Sequence, residues 1–264
     1  KYQETMANNF AFLEPVPSLM VRQKHQMLEQ FCAVCEKTNE YKVSAVQYSG
    51  DAPDDKVFKS LPTLLYGKEE STLMMRICCG RYREFTLNFN GNDAAGQTFT
   101  YIQLQRPFKC SILLCGIMML NPQELSVFDV QGQNIGKVIH DYRCVPMMFF
   151  PGLTYYYNIL DAAGNKRFSV RAQQPTLCNG CKNLCAPTCL NRIFAIDIMD
   201  ANETNVIGQM KAVFPGCNIR LCGDATNLVL DYPQAISGAD KALLFGALML
   251  IEYLFFEKDN QDQN

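Results

Sequence analysis

The feature that most constrains the fold is an apolar run near the C-terminus, "ALLFGALMLIEYLFF", which extends from Ala242 to Phe256. A membrane-spanning helix needs about 20 apolar residues, and this run is shorter, contains Glu252 and follows Lys241. An unpaired charge at mid-bilayer costs roughly 3 kcal/mol or more. Because the run is apolar on every side, it must be surrounded by protein or lipid. The sequence therefore predicts a helix over about 240–257 that is buried in a protein core.

From Tyr41 onward the chain consists of short runs typical of β-strands, separated by Gly, Asn and Asp. A strand, a polar turn and a return strand recur in "FTLNFNGNDAAGQTFTYI", "LSVFDVQGQNIGKVI", "YNILDAAGNKRFSV" and "AIDIMDANETNVIGQM". Glycine in such turns supplies the positive φ values that tight hairpins require. The pattern predicts a meander of antiparallel hairpins, and a closed meander is a barrel. The segment "PSLMVRQKHQMLEQF" fits either a helix or a strand.

Composition excludes several classes of function. The formal net charge is -2, without a basic cluster, which argues against nucleic acid as a partner. The two histidines, His25 and His140, have no local arrangement that suggests nucleophilic catalysis, and no nucleotide-binding glycine loop is present. We expect no hydrolytic or redox enzyme. The 13 cysteines are an odd number in a chain too large to need disulfide staples, which favours a reducing compartment.

At several places, in the same order, the chain resembles the phospholipid scramblases of the tubby-like superfamily. These places are "CCGRYREFTL" from Cys78 to Leu87, "LQRPFKC" from Leu104 to Cys110, "IGKVIHDY", "IGQMKAVF" and "DKALLFGALMLIEYLFFE" from Asp240 to Glu257. The resemblance covers roughly Pro17 to Lys258. It implies a mainly β, tubby-like closed antiparallel barrel of about 12 strands around the buried apolar C-terminal helix. Residues 17–258 form this barrel, and 1–16 and 259–264 are expected to be polar tails.

The resemblance implies a membrane-associated protein that promotes ATP-independent, bidirectional phospholipid movement between leaflets. The alternative is a non-translocating, tubby-like lipid-binding or structural subunit of a membrane or other large assembly. The expected partner is a phospholipid membrane, with a homo-oligomer or a larger assembly as a further option. The expected location is intracellular and membrane-associated, with plasma and mitochondrial membranes equally open. On the helix, the candidate residues for contact with the barrel or with lipid are Phe245, Leu248, Ile251, Glu252 and Phe255.

The resemblance also implies a calcium site in "DATNLVLDYPQA", where the candidate ligands are Asp224, Asn227 and Asp231. Calcium takes six to eight oxygen ligands, and apolar residues hold several of the positions that would have to supply them. The alternative is a strand with polar ends, followed by a turn at Tyr232 and Pro233.

Cysteines supply two further candidate sites. The first is a zinc-like cluster in "CNGCKNLCAPTC", because four thiolates can close a tetrahedral site; its members are Cys178, Cys181, Cys185 and Cys189. Free, acylated or packed thiols are the alternative there. The second is a set of acylation candidates, implied by the resemblance to a palmitoylated family, and comprises Cys110, Cys115, Cys78 and Cys79.

Overall fold

The computed structural model describes residues 9–23, 38–53, 57, 60–72, 83–92, 96–109, 112–114, 118–143, 154–173, 183, 186–188, 190–214 and 227–256. Within these residues the chain forms a closed barrel of antiparallel strands around one C-terminal helix, which confirms the predicted fold class. Two further strands form a separate two-stranded sheet.

The barrel strands are β1 Ser18–Gln23, β2 Glu40–Val46, β3 Leu65–Glu70, β4 Phe85–Asn92, β5 Thr98–Arg106, β8 Glu124–Phe128, β9 Asn134–Asp141, β10 Thr154–Asp161, β11 Lys166–Gln173, β12 Ile193–Asp200, β13 Val206–Val213 and β14 Asn227–Asp231. Their order around the barrel is β1-β14-β13-β12-β11-β10-β9-β8-β5-β4-β3-β2, and β2 pairs with β1 to close it. The separate two-stranded sheet consists of β6 Ile112–Leu114 and β7 Met118–Leu120. A short 3₁₀ helix spans Ala11–Leu13. Helix α1 spans Gly238–Ile251 and continues into a π-helical turn, Glu252–Phe256.

Alternation along the strands explains why the sheet closes around an apolar core. In β4, Phe85, Leu87 and Phe89 are buried inside the barrel, while Asn88 and Asn90 alternate with them and face outward. The outward residues bond across strands, since Gln103 Nε2 donates to Asn88 and Thr100 to Asn90. Successive side chains of a strand point to opposite faces, so a single strand supplies apolar residues to the barrel core and polar residues to its outer surface. Of the segment that fitted either a helix or a strand, residues 18–23 form β1, and residues 24–31 lie outside the described residues.

Helix α1 begins at a well-defined cap. The Ser237 hydroxyl accepts from the Asp240 backbone N–H at 3.1 Å and donates to the Asp240 carboxylate at 2.9 Å. Asp240 also pairs with Arg167 of β11 at 3.0 Å. This arrangement satisfies a free helical N–H and places a carboxylate at the positive end of the helix.

Two glycines allow α1 to approach the barrel wall closely. A Cβ on Gly246 of α1 would lie 2.7 Å from a methyl group of Val127. On β9, Gly136 has a φ of 152°, and a Cβ there would meet the Leu160 carbonyl and, at 2.9 Å, the Leu243 side chain. Both positions need a residue without a side chain because helix and strand occupy the space.

The two ends of the barrel differ, although one long connection, residues 47–64 from β2 to β3, starts and ends at the same end as the short turns. We call the end at which α1 begins with Gly238 the base, and the end at which it finishes with Glu252 the mouth. At the base, short turns join β8 to β9, β10 to β11 and β12 to β13, and in each an Asp side chain accepts backbone N–H groups of its own turn: Asp129, Asp161 and Asp200. At the mouth, longer connections join β1 to β2, β3 to β4, β5 to β8, β9 to β10, β11 to β12 and β13 to β14.

Residues 9–16, the described part of the expected polar tail over 1–16, pack against the barrel. Phe10 and Leu13 are fully buried and belong to the barrel core. A Cβ on Gly238 would collide with the Phe10 carbonyl, so this segment lies directly against the start of α1. The sequence "NNFAFLEPV" mixes apolar and polar residues, and its apolar members close the base of the barrel.

Candidate functional site

The mouth of the barrel holds a buried polar layer around the end of α1. Glu252 is 3% exposed, and its Oε2 accepts a hydrogen bond of 2.9 Å from the Tyr41 hydroxyl of β2. Its backbone N–H bonds to the Leu248 and Met249 carbonyls as the helix widens into the π turn. A tyrosine side chain from the barrel wall therefore holds Glu252, which the sequence had named as a candidate for contact with the barrel or with lipid.

A buried ion pair holds the next residue of the π turn. Glu69 of β3 and Arg83 are joined by hydrogen bonds of 2.9 and 3.1 Å, and the Tyr253 hydroxyl donates to Glu69 at 3.0 Å. Burial acts to raise the pKa of Glu69, but the hydrogen bonds and charge of Arg83 outweigh it, with help from Ser71 and Tyr253, so the pKa is lowered below 4.5. Glu69 is therefore ionised at neutral pH.

Aromatic and cationic side chains form a stack across the same layer. The Tyr253 ring lies on Phe85, with centroids 4.1 Å apart. The guanidinium carbon of Arg83 lies 5.2 Å from the Tyr253 centroid, and that of Arg106 lies 5.7 Å from the Phe85 centroid. Cations over aromatic faces are attracted by the ring quadrupole, more strongly where water is excluded. The stack fixes Tyr253 between two strands of the wall.

The polar layer continues on the side of β9 and β10. Arg106 donates to the Gln123 side chain at 2.5 and 3.2 Å, and Gln123 donates to the Lys109 carbonyl. His140 stacks on Tyr157 with centroids 5.1 Å apart. Burial lowers the pKa of His140 below 6.5, against the opposing charge of Asp141, so the imidazole is neutral at neutral pH.

The other end of α1 is held at the base by Lys241. Its ammonium donates to three backbone carbonyls of the N-terminal segment, those of Leu13 at 3.0 Å, Glu14 at 2.8 Å and Val16 at 2.7 Å. It also lies 5.1 Å from the centroid of the Tyr232 ring. Three carbonyls and an aromatic face compensate the ammonium for the loss of water. The helix is therefore fixed at both ends by polar contacts, with apolar packing between them.

That apolar packing is large compared with ordinary stability. Seven large apolar residues of α1 are at most 2% exposed: Leu243, Leu244, Phe245, Leu248, Met249, Leu250 and Ile251. Burial of such side chains contributes roughly 1.5–3 kcal/mol each, on the order of 10–20 kcal/mol together. Whole domains are stable by only about 5–15 kcal/mol. Transfer of α1 to water would therefore unfold the barrel.

The described helix candidates divide into two groups. Phe245, Leu248 and Ile251 lie in the barrel core, where Phe245 meets Phe89 edge to face at 4.6 Å. Phe255 is only partly buried at the mouth and packs edge to face on Tyr155 at 4.8 Å. Of the predicted set, Phe255 is thus the one nearest to a surface.

The calcium candidates are not brought together. Asn227 and Asp231 lie at opposite ends of strand β14, four residues or about 13 Å apart. Asp231 instead accepts from Ser18 and Tyr48 and pairs with Lys211 at 2.9 Å. Ligand oxygens must lie within about 2.6 Å of a calcium ion, so these two cannot share one. Asp224 lies outside the described residues, and the alternative, a strand with polar ends, is the form observed.

Every cysteine candidate lies outside the described residues, namely Cys178, Cys181, Cys185 and Cys189 of the zinc-like cluster and Cys110, Cys115, Cys78 and Cys79 of the acylation set. The connections in which these cysteines occur nevertheless have one property in common. All 13 cysteines of the sequence fall in the six connections whose flanking strands end at the mouth. In the described ranges, no three His, Cys, Asp or Glu side chains lie close enough together to hold a metal ion.

Sequence reasoning missed Glu69, Arg83, Arg106 and Lys241. A signal existed for two of them. Glu69 follows Leu65 and Gly67 at every second position, and Arg106 follows Ile102 and Leu104, so alternation places both inside the barrel. Their partners lie far away in sequence, however, and no local pattern identifies them.

Loss of the Tyr41 hydroxyl should loosen the end of α1. We expect Tyr41→Phe to lower the free energy of unfolding by about 1–3 kcal/mol, because the buried Glu252 side chain loses the hydrogen bond that the tyrosine hydroxyl donates. Tyr66→Phe removes a hydroxyl that bonds to Glu40 on the outer face of neighbouring β3, and because water can replace that bond the change should be less than about 0.5 kcal/mol. Urea titrations of both variants measure the difference, and equal effects would show that the Tyr41 contact contributes nothing.

The structure is a closed antiparallel barrel whose core contains its own C-terminal helix, with a charged layer where that helix ends. The chain belongs to the scramblase family, whose model, described as Scramblase, matches residues 2–258. It is 23% identical to human phospholipid scramblase 2 over 250 residues, which cover 94% of this chain and 70% of that protein. It is 24% identical to human phospholipid scramblase 1 over 254 residues, covering 96% of this chain and 67% of the relative. No solved structure matches significantly.

Among the described residues, no helix combines the length and the apolar character needed to cross a bilayer.

Proposed function

We propose that this protein is a membrane-associated scramblase that promotes ATP-independent, bidirectional movement of phospholipids between leaflets. Membership of the scramblase family is the observation that carries the proposal. The absence of a nucleotide-binding glycine loop from the sequence agrees with passive movement down a gradient. No part of the proposal requires a hydrolytic or redox step.

In this proposal the barrel acts as a rigid body and keeps α1 inside. Movement of a headgroup through hydrocarbon is opposed by the cost of removing its charges from water. One short helix cannot line a polar path, and the packing and the contacts at both ends of α1 oppose its release. The protein would therefore act by thinning and disordering the leaflet against which it lies. The proposal places the protein inside the cell, at the plasma membrane or at a mitochondrial membrane.

Reconstitution tests this function directly. Purified protein is inserted into vesicles with a fluorescent phospholipid in both leaflets, and an impermeant reductant is then added with and without Ca²⁺. We expect the reductant to reach nearly all of the probe, whereas protein-free vesicles keep their inner-leaflet probe. Preservation of the inner-leaflet probe by folded, membrane-bound protein under both conditions would contradict the proposal.

A Glu252→Leu variant adds a mechanistic control. If lipid movement required release of α1, removal of the Tyr41 contact would speed it up. Because we propose that α1 stays in place, the rate should match that of the parent protein while the stability falls. A rate that rises as stability falls would contradict the rigid-body account.

The second candidate is a lipid-binding or structural module that moves no lipid. The double fixation of α1 favours it, since a helix held by Lys241 at the base and by Tyr41 and Glu69 at the mouth suits a scaffold. Folded protein that floats with vesicles but leaves the inner-leaflet probe intact would select this alternative. Co-purification with one large assembly and no vesicle binding would indicate a structural subunit instead.

A further inference from the structure

The connection from β2 to β3 is long, unlike the turns that join β8 to β9, β10 to β11 and β12 to β13 at the same end of the barrel. We call its residues 47–61 the strap, of which 47–53, 57, 60 and 61 are described. In this part the Leu61 backbone N–H donates to the Val57 carbonyl at 3.3 Å, which closes one helical turn. Connections longer than about 12–15 residues are uncommon in compact domains and are usually functional. The length of the strap therefore indicates a role beyond the joining of two strands.

A small apolar cluster on the outside of the barrel lies beneath the strap. Four side chains on adjacent strands form it and are at most 3% exposed: Met20, Val46, Val213 and Val229. Alternation along each strand turns them away from the barrel core, and the core cluster shares no residue with this one. Four partly buried strap residues pack over it: Tyr48, Ala52, Val57 and Leu61. The strap thus covers an apolar patch that the barrel strands alone would expose to water.

One end of the strap is held by three side chains, Tyr48, Asp231 and Lys211, which we call the latch. The Tyr48 hydroxyl donates to the Asp231 carboxylate at 2.7 and 2.8 Å, and Asp231 pairs with the Lys211 ammonium at 2.9 Å. Lys211 also donates to the Asp51 carbonyl of the strap at 2.7 Å. Burial, together with Asp231, raises the pKa of Tyr48 above 10, so its hydroxyl keeps the proton that it donates. Asp231 is therefore the acceptor on which the latch depends.

The closed arrangement of the strap also carries a cost. At its far end the described contact with a strand side chain is a single hydrogen bond of 2.7 Å, from the Lys42 ammonium to the Leu61 carbonyl. On the same outer face, the Ser44 hydroxyl and the Asn227 amide are 1% exposed and have no hydrogen-bond partner among the described residues. Buried polar groups without a partner disfavour the state that buries them, because water would satisfy them. The closed strap is thus balanced between its latch and these unpaired groups.

We propose that the strap is a conformational device that opens as a unit and uncovers the outer apolar cluster while the barrel stays folded, with the latch setting how often it opens. Segments that open locally have few buried apolar contacts, as the strap does. The barrel core, with α1 inside it, lies on the other face of the sheet and contains no strap residue. The inference goes beyond the proposed function and requires neither a membrane nor lipid movement.

Native-state hydrogen exchange of the full chain tests the device, because the Leu61 amide is held by a bond within the strap. Asp231→Asn should speed exchange of that amide about tenfold or more, and Tyr48→Phe, which removes only the latch hydroxyl, about threefold or more. Amides of β4 and β10 should change by less than about twofold in both variants. Asp161→Asn is the matched control, since Asp161 also follows a leucine at the base end of a strand but bonds within its own turn. It should leave exchange of the Leu61 amide unchanged.

Two further measurements separate opening of the strap from loss of the fold. Ser44→Ala removes an unpaired hydroxyl from the covered face, so it should favour the closed strap and slow exchange of the Leu61 amide about threefold or more. A fluorescent dye that binds apolar surface reports on the uncovered cluster. Asp231→Asn should bind this dye at least about twofold more than Asp161→Asn.

Three results would overturn the inference. The first is equal exchange of the Leu61 amide in Asp231→Asn and Asp161→Asn. The second is a uniform rise in exchange over the strap, β4 and β10, which would show that the latch stabilises the whole fold. The third is faster exchange of the Leu61 amide without additional dye binding, which would show that one helical turn frays while the cluster stays covered. All of these measurements are made without lipid, so the device and the proposed function can succeed or fail separately.

Discussion

Replacement of Arg83 by methionine should lower the free energy of unfolding by about 3–5 kcal/mol, because it leaves the Glu69 carboxylate charged and buried. Glu69 and Arg83 have side chains that are 0% and 6% exposed and are joined at 2.9 Å. The substitution also removes the cation from the face of Tyr253, which closes the stack at the end of α1. Chemical denaturation at neutral pH measures the loss.

The control for this prediction is the double variant Arg83→Met with Glu69→Met. Apolar residues in place of a whole buried ion pair are often neutral or stabilising, so the double variant should recover most of the loss. The recovery should be incomplete because the Tyr253 hydroxyl loses its acceptor. A double variant less stable than either single variant would show that the pair is not coupled as described.

The same substitution should reverse the pH dependence of Glu69. In the parent protein the pKa of Glu69 lies below 4.5, so its contribution is complete above 4.5 and is lost as the pH falls through the lowered pKa. Without Arg83, burial raises the pKa, and protonation then favours the folded state. The penalty of Arg83→Met should therefore be smaller at about pH 5 than at about pH 7. A penalty that is constant with pH would contradict this assignment.

Replacement of Lys241 by methionine should cost about 3–6 kcal/mol, since three backbone carbonyls of residues 13–16 lose their shared donor in a buried site. The N-terminal segment should then detach from the base, and Phe10 and Leu13 should become exposed. Hydrogen exchange of that segment, together with urea denaturation, detects both changes.

Lys42→Met is the matched control for Lys241→Met. Lys42 donates to one carbonyl, that of Leu61, on the outside of the barrel, so its loss should cost only about 1 kcal/mol. If the two lysine variants were equally stable, or if the N-terminal segment kept its protection in Lys241→Met, the base would be held by apolar packing alone.

The hairpins, the apolar and polar faces of the strands, and the central helix could be predicted from the sequence because they depend on local patterns. The alternation of Phe85, Leu87 and Phe89 and the all-apolar run after Lys241 contain the information for a filled barrel. The order of the strands around the barrel is harder to predict from local sequence. β5 pairs with β8 because the hairpin β6–β7 lies outside the barrel, and no spacing rule in the sequence indicates that exclusion.

The candidate site was harder to predict because its contacts join distant parts of the chain. Tyr41 meets Glu252 across 211 positions, and Lys241 meets Leu13 across 228. Glu252 stood out because it interrupts an apolar run, but the tyrosine that holds it lies in an ordinary strand sequence. The burial of Phe10 was missed for a similar reason, since a short segment with polar neighbours resembles a tail until its partner at Gly238 is known.

The central claim is that α1 remains inside the barrel while the protein acts on a membrane. A Phe245→Trp variant, checked for its fold and its lipid movement, tests it because Phe245 lies in the core against Phe89 and the natural chain contains no tryptophan. The variant is reconstituted in vesicles whose phospholipid acyl chains are brominated near the headgroup or near the methyl end. We predict no quenching by bromine at any depth in vesicles whose phospholipids are exchanging between leaflets. Quenching of about twofold or more would show that α1 leaves the barrel for lipid and would contradict the account.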